Sequence, residues 1–189
     1  MGERIRQGPS EGQLVTLDLG HGAALEEFLS EFDSNPSELH GYFCDRDAST
    51  EDAVGLLDDW SRGERLTKGW VPNSTWFWES DGHLEGVINL RHQLTTALEE
   101  TGGHIGYSVA KPFRRRGVAS GMLKTVLGEC RKLEIASALL TCPSDNQGSV
   151  RTIEKHGGVL DREELSPSAG VIQRWYWINV SDASFKMDF

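Results

Sequence analysis

The chain has 189 residues, of which 38% are hydrophobic and 25% charged, and its net charge is -10. This length suits one globular domain with an ordinary core, and the composition is that of a folded protein rather than a disordered chain. A membrane span is excluded because no long apolar run occurs. The negative charge repels phosphate backbones and anionic lipid surfaces. Nucleic acids and membranes are therefore not expected as partners.

The cysteines and the N-terminal segment bear on location and domain limits. Cys44, Cys130 and Cys142 are odd in number and far apart, which argues against a disulfide framework and against a Cys-x-x-Cys metal site. Residues 1–13 are polar and lack the apolar stretch of a secretion signal. We expect a cytoplasmic protein without a metal, with a flexible tail at residues 1–13 and a single domain at residues 14–189.

The first third of the chain predicts one strand and two helices. Residues 14–19 alternate as LVTLDL, which predicts a strand, and residues 22–32 carry apolar side chains at helical spacing. Residues 33–49 are rich in turn formers. An acidic first turn at residues 50–52 then begins a second predicted helix. The first third as a whole is interpreted as a lid or an entrance.

The middle of the chain changes to the period of β-strands. Residues 74–80 and 83–93, joined by the turn Asp81-Gly82, predict a hairpin. Residues 103–110 predict a third strand. This strand places three apolar side chains on one face: Ile105, Tyr107 and Val109.

The last third predicts helix, strand, helix and strand. The first helix has one apolar face, formed by Val118, Met122, Leu123, Val126, Leu127, Cys130 and Leu133. Residues 135–142 predict a buried strand, residues 146–158 a short helix ended by glycine, and residues 171–180 a final aromatic strand. The order predicts an α/β fold of the α+β type with a mixed sheet, and it lacks the regular alternation of a Rossmann unit.

The segment YSVAKPFRRRGVA, residues 107–119, is the most informative for chemistry. A strand leads into a basic turn with a glycine, and that turn begins the long amphipathic helix. Helix N-termini carry unpaired N–H groups and a positive dipole end, and they bind anions. Arg114, Arg115 and Arg116 taken alone could be solvated, with Gly117 only relaxing the turn. The surrounding order of strand, helix, strand and helix favours an anion-binding loop.

Arg114-Arg115-Arg116-Gly117-Val118-Ala119 matches the pattern Gln/Arg-x-x-Gly-x-Gly/Ala, and the chain here resembles the GNAT superfamily of acyl-CoA-dependent N-acyltransferases. Residues 74–165 also resemble a bacterial subgroup of predicted acetyltransferases that carries an Arg-His pair, here Arg91-His92. The resemblance implies a mixed, mostly antiparallel central sheet that is flanked by helices and splayed between its fourth and fifth strands.

The resemblance also implies which residues bind acetyl-CoA, the expected co-substrate. The backbone N–H groups of residues 115–119, with the side chain of Ser120, would hold the pyrophosphate. Val109 would contact the pantetheine arm, and the amide of Tyr107 would polarise the thioester carbonyl. Asn146 would line the cofactor channel. The full expected set is Tyr107, Ser108, Val109, Arg114, Arg115, Arg116, Gly117, Val118, Ala119, Ser120, Asn146 and Ser149.

One position departs from the family pattern. Many members carry Tyr-Glu-Lys-x-Gly-Phe, whose tyrosine protonates the departing thiolate, whereas this chain reads Ile153-Glu154-Lys155-His156-Gly157-Gly158. Either another group or water protonates the thiolate, or no acid is needed, because a thiol of pKa about 8.5 leaves readily near neutral pH.

An amine acceptor must lose a proton, and histidine is the natural base near neutral pH. His104 lies one position from where several family members place a basic Glu, and His92 lies on the neighbouring strand. The expected catalytic residues are His104, Tyr107 and His92, although His104 could instead be a hydrogen-bonded structural residue. The other four histidines fall in predicted turns or helix ends, where solvated roles are expected: His21, His40, His83 and His156.

Three further features leave alternatives open. Arg91, with His92, is a candidate for binding the substrate, through a bidentate contact to a carboxylate, although Arg91 could equally pair with an acidic residue of the chain. The tryptophan pairs 76/78 and 175/177 are interpreted as core residues rather than as a wall of the site that binds the acceptor. The acidic residues of the second helix are interpreted as a solvated face rather than as charges that attract a cationic amine to the site. These are Glu51, Asp52, Asp58 and Asp59.

The expected function is therefore transfer of an acetyl group from acetyl-CoA to a primary amine by direct attack in a ternary complex. The acceptor would be a small amine or a peptide amine, and a homodimer is the commonest oligomer for such a protein. The alternative is a non-catalytic acyl-CoA-binding module with a sensing or regulatory role, which the missing tyrosine motivates.

Overall fold

The computed structural model describes residues 11–166 and 170–181, so most of the predicted tail lies outside the described residues. Its first sheet has four antiparallel strands in the order β1 (Gln13–Val15), β2 (Asn73–Ser80), β3 (His83–Arg91) and β4 (Ile105–Val109). Strands β2 and β3 form the predicted hairpin. Asp81 and Gly82 both have positive φ, at 50° and 79°, as a two-residue hairpin turn requires.

The second sheet contains β5 (Ser137–Pro143), β6 (Gly158–Leu165) and β7 (Ile172–Asn179) in the antiparallel order β5-β7-β6. Strands β5 and β7 match the predicted strands. Strand β6 was not predicted, and its residues GVLDREEL are mostly exposed. An edge strand with solvent on most positions has no apolar alternation, which is the signal that strand prediction depends on.

The described residues form five α-helices beside the sheets. They are α1 (Gly22–Ser30), α2 (Thr50–Ser61), α3 (Thr96–Glu100), α4 (Val118–Lys132) and α5 (Gln147–Lys155). Helix α3 has only five residues and was not predicted. Within the described ranges, no helix combines the length and the apolar composition needed to cross a bilayer.

Several predicted limits differ from the structure, and those of β1 and α4 were wrong. The first strand ends at Val15 rather than at Leu19, because the Asp18 carboxylate accepts a hydrogen bond of 2.7 Å from Gly20 N and caps a short 3-10 turn over Leu19–His21. Leu133, assigned to the apolar face of α4, lies just after the last residue of that helix and is 40% exposed. The other six predicted residues of that face are buried.

The first sheet is covered by helices on both faces. Phe77 and Val87 belong to a core that includes side chains of α1 and α2. Trp78 and Ile88, one position further along their strands, belong to a second core that includes the apolar face of α4. Strict alternation along β2 and β3 therefore builds a three-layer arrangement.

Backbone hydrogen bonds join the two sheets where β4 begins. His104 N donates to Leu139 O at 2.7 Å, and Leu139 N donates to His104 Nδ1 at 3.0 Å. Gly103 precedes this contact with φ of 65°, and a Cβ atom there would lie 2.4 Å from Leu139 O. Beyond that point β4 and β5 share no ladder within the described ranges. The structure thus confirms the predicted α+β fold and its splay between the fourth and fifth strands.

Two glycines of α4 test the packing of this helix on the sheet. A Cβ atom at Gly121 would lie 2.5 Å from the buried Trp78 ring, whereas one at Gly128 would meet no atom within 4 Å. We expect Gly121→Ala to lower the free energy of unfolding by about 1–3 kcal/mol through overpacking. We expect Gly128→Ala to raise it by about 0.5–1 kcal/mol, because alanine favours the helix.

Urea unfolding of both variants beside the wild type measures these changes. The substitution and the helix are the same in the two variants, so equal effects would show that α4 does not pack on Trp78 as described.

Candidate functional site

A cavity of about 760 Å³ opens where β4 diverges from β5. Its walls are β4, the turn that leads into α4, the first turns of α4 and α5, and a segment before α2. All of the residues expected to contact the cofactor line it except Arg116. His40, for which a solvated role was expected, also lines the cavity, and seven further lining residues were not expected there: Ser37, Glu38, Phe113, Pro143, Asp145, Gly148 and Thr152.

The backbone of β4 presents polar groups to this cavity. Arg91 N donates to His104 O and Ala110 N donates to Glu85 O, so the even-numbered residues of this stretch bond to β3. In an antiparallel ladder the intervening residues point their N–H and C=O groups to the opposite edge. The amides of Tyr107 and Val109 therefore face the gap between the sheets, and both residues line the cavity.

The start of α4 forms the far end of the cavity. The first backbone bond of the helix is Gly121 N to Gly117 O at 2.9 Å, and no side chain caps the preceding N–H groups. Arg115 and Gly117 have positive φ, at 66° and 87°, which turns the chain sharply before the helix. Uncapped N–H groups and the positive helix end are suited to an anion.

The three consecutive arginines have three different surroundings. Arg114 donates to Val109 O at 3.0 Å and to the Glu38 carboxylate at 2.6 Å, and this contact holds the pKa of Glu38 below its usual value. Arg116 is mostly buried on the other side of the turn, 3.9 Å from the Glu85 carboxylate and over the Phe113 ring. Arg115 lines the cavity. The basic cluster thus directs only part of its charge to the cavity.

Helix α5 begins at the opposite wall. Asn146 Oδ1 accepts from Ser149 N at 3.1 Å and caps the helix, as the position of this asparagine in the sequence suggests. Ser149 and Thr152, one turn further on, lie near the phenol of Tyr107. No hydrogen bond of normal geometry to the buried Tyr107 hydroxyl occurs among the described residues. Burial raises the pKa of Tyr107 to about 12, so the hydroxyl keeps its proton.

Ile153, which stands where the pattern Tyr-Glu-Lys-x-Gly-Phe has its tyrosine, is a core residue. Ile153 is 1% exposed, and a Cβ atom at Gly158 would lie 2.4 Å from its Cγ2 atom. Its neighbour His156 bonds through Nε2 to the Ser120 hydroxyl at 2.8 Å. The phenol that lines the cavity is that of Tyr107, which comes from β4.

The segment before α2 is fixed on β4 by a serine. The Ser108 hydroxyl donates to Glu38 O at 2.7 Å and accepts from His40 N at 2.6 Å. Gly41, with φ of 91°, lies so close that a Cβ atom there would be 2.7 Å from Gly106 O. Three residues of this segment, Ser37, Glu38 and His40, line the cavity, and the interpretation of the first third as a lid or an entrance stays a prediction. No short sequence pattern links residues about 70 positions apart.

The two histidines proposed as proton carriers lie away from the cavity lining. His104 is 6% exposed, and burial and the charge of Arg91 lower its pKa to about 4. Its Nδ1 atom is occupied by Leu139 N. His92 bonds through Nε2 to the Ser74 hydroxyl at 2.9 Å, and burial lowers its pKa. These contacts fit structural roles, and a catalytic role for either residue stays a prediction.

Arg91 is held by carbonyl groups rather than by a carboxylate. Its Nη1 atom donates to Gly102 O at 3.2 Å and Gly103 O at 3.0 Å, and its guanidinium lies over the Phe43 ring. Burial lowers the pKa of Arg91 to about 10. Pairing with an acidic residue, one of the two predicted alternatives, does not occur within the described ranges.

The tryptophan and acidic clusters take mainly structural positions. Trp76 and Trp78 pack in the core beneath α4, and Trp175 is buried with its Nε1 donating to Glu99 O at 3.0 Å. Glu51 and Asp52 are exposed in the first turn of α2. Asp58 and Asp59 pair with Arg62. Core packing and a solvated acidic face, the favoured alternatives, agree with this geometry.

The described residues contain no group of three or more His, Cys, Asp and Glu side chains able to hold a metal ion. Cys44, Cys130 and Cys142 are all buried free thiols.

Comparisons with known proteins bear on this arrangement. The sequence model of the acetyltransferase (GNAT) family matches residues 26–158. No curated protein matches the chain in sequence. The solved structure of Mycobacterium smegmatis RimJ in complex with CoA-disulfide superposes with a TM-score of 0.65 at 17% identity, covering 91% of this chain and 86% of that one.

Two further solved structures are similar. RimL, a ribosomal L7/L12 alpha-N-protein acetyltransferase in complex with coenzyme A, has a TM-score of 0.63 at 17% identity, covering 89% of this chain and 94% of that one. The microcin C7 self-immunity acetyltransferase MccE, in complex with acetyl-CoA and AMP, has a TM-score of 0.62 at 15% identity, covering 89% and 92%. At these identities the likeness establishes a shared fold.

The surroundings of His104 predict how stability depends on pH. Its pKa of about 4 in the folded chain lies below the ordinary 6.5, so the unfolded chain binds the proton first as the pH falls. The contribution of a neutral His104 is complete above pH 6.5 and declines as the pH falls toward 4. By pH 5 we expect a loss of about 2 kcal/mol from this residue.

We expect His104→Gln to be less stable than the wild type at pH 7.5, and the difference to shrink by pH 5, because glutamine does not titrate. Urea unfolding of both proteins at the two pH values measures this. A difference that stays constant would contradict a neutral, buried His104.

Proposed function

The chain belongs to the acetyltransferase (GNAT) family, and from that premise we propose that it moves the acetyl group of acetyl-CoA to a primary amine by direct attack in a ternary complex. The observation that carries the proposal is the cavity itself, in which the open edge of β4 leads to the uncapped start of α4. In acetyl-CoA a long arm joins a thioester to a diphosphate. The edge amides of β4 suit the thioester end, and the N–H groups at the start of α4 suit the diphosphate end.

The residues of the cavity fit the cofactor. The N–H groups at the start of α4 suit the pyrophosphate, and the side chain of Arg115 adds a positive charge beside them. The Val109 amide, which points into the gap, suits the pantetheine arm. Asn146 and Ser149 would close the channel from the side of α5. When bound, acetyl-CoA supplies an activated acyl group with a good leaving group.

The reaction requires that the negative charge on the thioester oxygen be stabilised and that the amine be positioned. The Tyr107 N–H would donate to the carbonyl oxygen of the thioester as negative charge develops there. The cavity wall would orient the amine against the carbonyl carbon, which replaces an encounter in solution by a reaction between bound partners. The Tyr107 hydroxyl stays protonated, and it lies near Ser149 and Thr152, two residues that line the cavity. A thiolate with a conjugate pKa of about 8.5 needs little help to leave.

The neighbours of similar fold include an alpha-N-protein acetyltransferase by its own description. That description supports an amine as the acceptor without identifying it. Ser37, Glu38 and His40 form the wall that the acceptor would approach, and they come from a part of the chain with no recognisable motif.

A non-catalytic acyl-CoA-binding module is the second candidate. The favouring observation is Ile153, which places a core side chain where many members of the family carry the tyrosine acid. In that case the cavity would bind acetyl-CoA and release no product.

Thiol release separates the two candidates. The protein is incubated with acetyl-CoA alone and with pooled primary amines, and free thiol is followed over time. An enzyme releases thiol faster when the amines are present, and mass spectrometry of the pool then identifies the acetylated product. Binding of acetyl-CoA without amine-dependent release would favour the module.

The anion site at the start of α4 is tested by Gly117→Asp, measured by calorimetry with acetyl-CoA. The substitution puts a negative charge beside the expected pyrophosphate, and we expect the affinity to fall by roughly 100-fold or more. The matched control is Gly69→Asp. Gly69 has the same φ of 87° and the same open surroundings, and it lies outside the cavity lining.

Strain from a positive φ is therefore common to both variants, and only the position of the new charge differs. Equal affinities in the two variants, or no binding by the wild type, would remove the basis of the cofactor assignment.

A further inference from the structure

His40 has a position that no other histidine of the chain shares. Its backbone N–H is held by the Ser108 hydroxyl on β4, and its side chain lines the cavity. The next residue, Gly41, contacts Gly106 on the same strand. One contact on each side of Tyr107 thus fixes this segment on β4. The Tyr107 amide is the one that faces the expected thioester.

The other histidines already have partners for a ring nitrogen. His104 accepts from Leu139 N, His92 bonds to Ser74, and His156 bonds to Ser120. In the same way, His21 is held by Asp18 and His83 by Glu27. Within residues 11–166 and 170–181, the ring of His40 has no hydrogen-bond partner, and His40 is an exposed residue of the cavity lining. It is therefore available to a bound molecule.

The charges around His40 favour its neutral form. His40 is exposed, but the protein atoms around it desolvate the ring in part, and Arg91 from β3 adds a positive charge, so the pKa of His40 is lowered from 6.5. Glu38 acts in the opposite direction, but its carboxylate is bound to Arg114. Three further ionisable side chains line the same cavity: Tyr107, Arg115 and Asp145. At neutral pH the imidazole carries a free lone pair.

We propose that His40 accepts the proton that the acceptor amine releases as its nitrogen bonds to the acetyl carbon. This role rests on the proposed function. The nitrogen lone pair forms the C–N bond, the C–S bond breaks with its electron pair leaving on sulfur, and the N–H proton moves to the imidazole. Because the cavity is open to solvent, the imidazolium then returns its proton to water or to the thiolate, and His40 is regenerated.

The first test compares kcat/KM of the wild type with that of His40→Gln, using an amine identified by thiol release. Loss of a general base lowers the rate by about 100-fold or more. The affinity for acetyl-CoA, measured by calorimetry, stays within about two-fold, because His40 is not at the expected pyrophosphate or pantetheine contacts. The matched control is His83→Gln, which removes an exposed histidine on the β2–β3 hairpin and leaves kcat/KM unchanged.

A structural effect on the loop is separated from proton transfer by two further measurements. In His40→Ala, added imidazole restores part of the rate, because the cavity is open and a diffusible base can occupy the vacated space. The rate per neutral amine in the wild type falls as the pH drops through a midpoint below 6.5, and this decline is absent in His40→Gln. The sign follows from the base: a protonated imidazole cannot accept a proton.

A titration by NMR gives a readout that does not depend on turnover. The ring C–H signals of His40, assigned by their absence in His40→Gln, should titrate below pH 6.5 and shift when acetyl-CoA is added. An unchanged kcat/KM in His40→Gln beside an active wild type overturns the role of His40 alone. A wild type that releases no thiol with any amine overturns the proposed function, and with it this role.

Discussion

The divergence of β4 from β5 is the constraint on which the rest of the site depends. The two sheets are held together at His104 and Leu139, where backbone and imidazole nitrogens form a reciprocal pair of hydrogen bonds. Beyond this point none of the described strands pairs with the amides at the open edge of β4. Unpaired backbone groups at a sheet edge are costly when buried and are ready to bind an extended ligand. The cavity exists because the sheet is left open at this edge.

The charge distribution follows from the same geometry. A chain with a net charge of -10 would repel a polyanion, and the basic turn before α4 does not act as one positive patch. Arg114 is tied to Glu38 and Arg116 lies beside Glu85, so each of these cations meets an anion of the chain. Arg115 and the helix N-terminus remain directed at the cavity. The site can thus attract a small polyanion while the surface as a whole does not.

The segment before α2 completes the cavity through contacts that depend on small residues. Ser108 binds the backbone on both sides of Leu39, and neither Gly41 nor Gly106 carries a Cβ atom that would hold the segment away from the sheet. His40 comes to lie beside β4 as a result. In the sequence it looks like one more histidine in a turn, and the three-dimensional contacts separate it from the other five.

The sequence by itself determined the elements whose residues repeat with a period. The hairpin, the α4 face and the glycine turn before α4 were all predicted, because alternation, helical spacing and a local motif are properties of neighbouring residues. The missed elements were β6, which is exposed on most positions, and the short helix α3. The tertiary structure decided which side chains share the cavity. His40 entered it and His104 did not, because burial and partners depend on residues far apart in the chain, whose contacts no local pattern records.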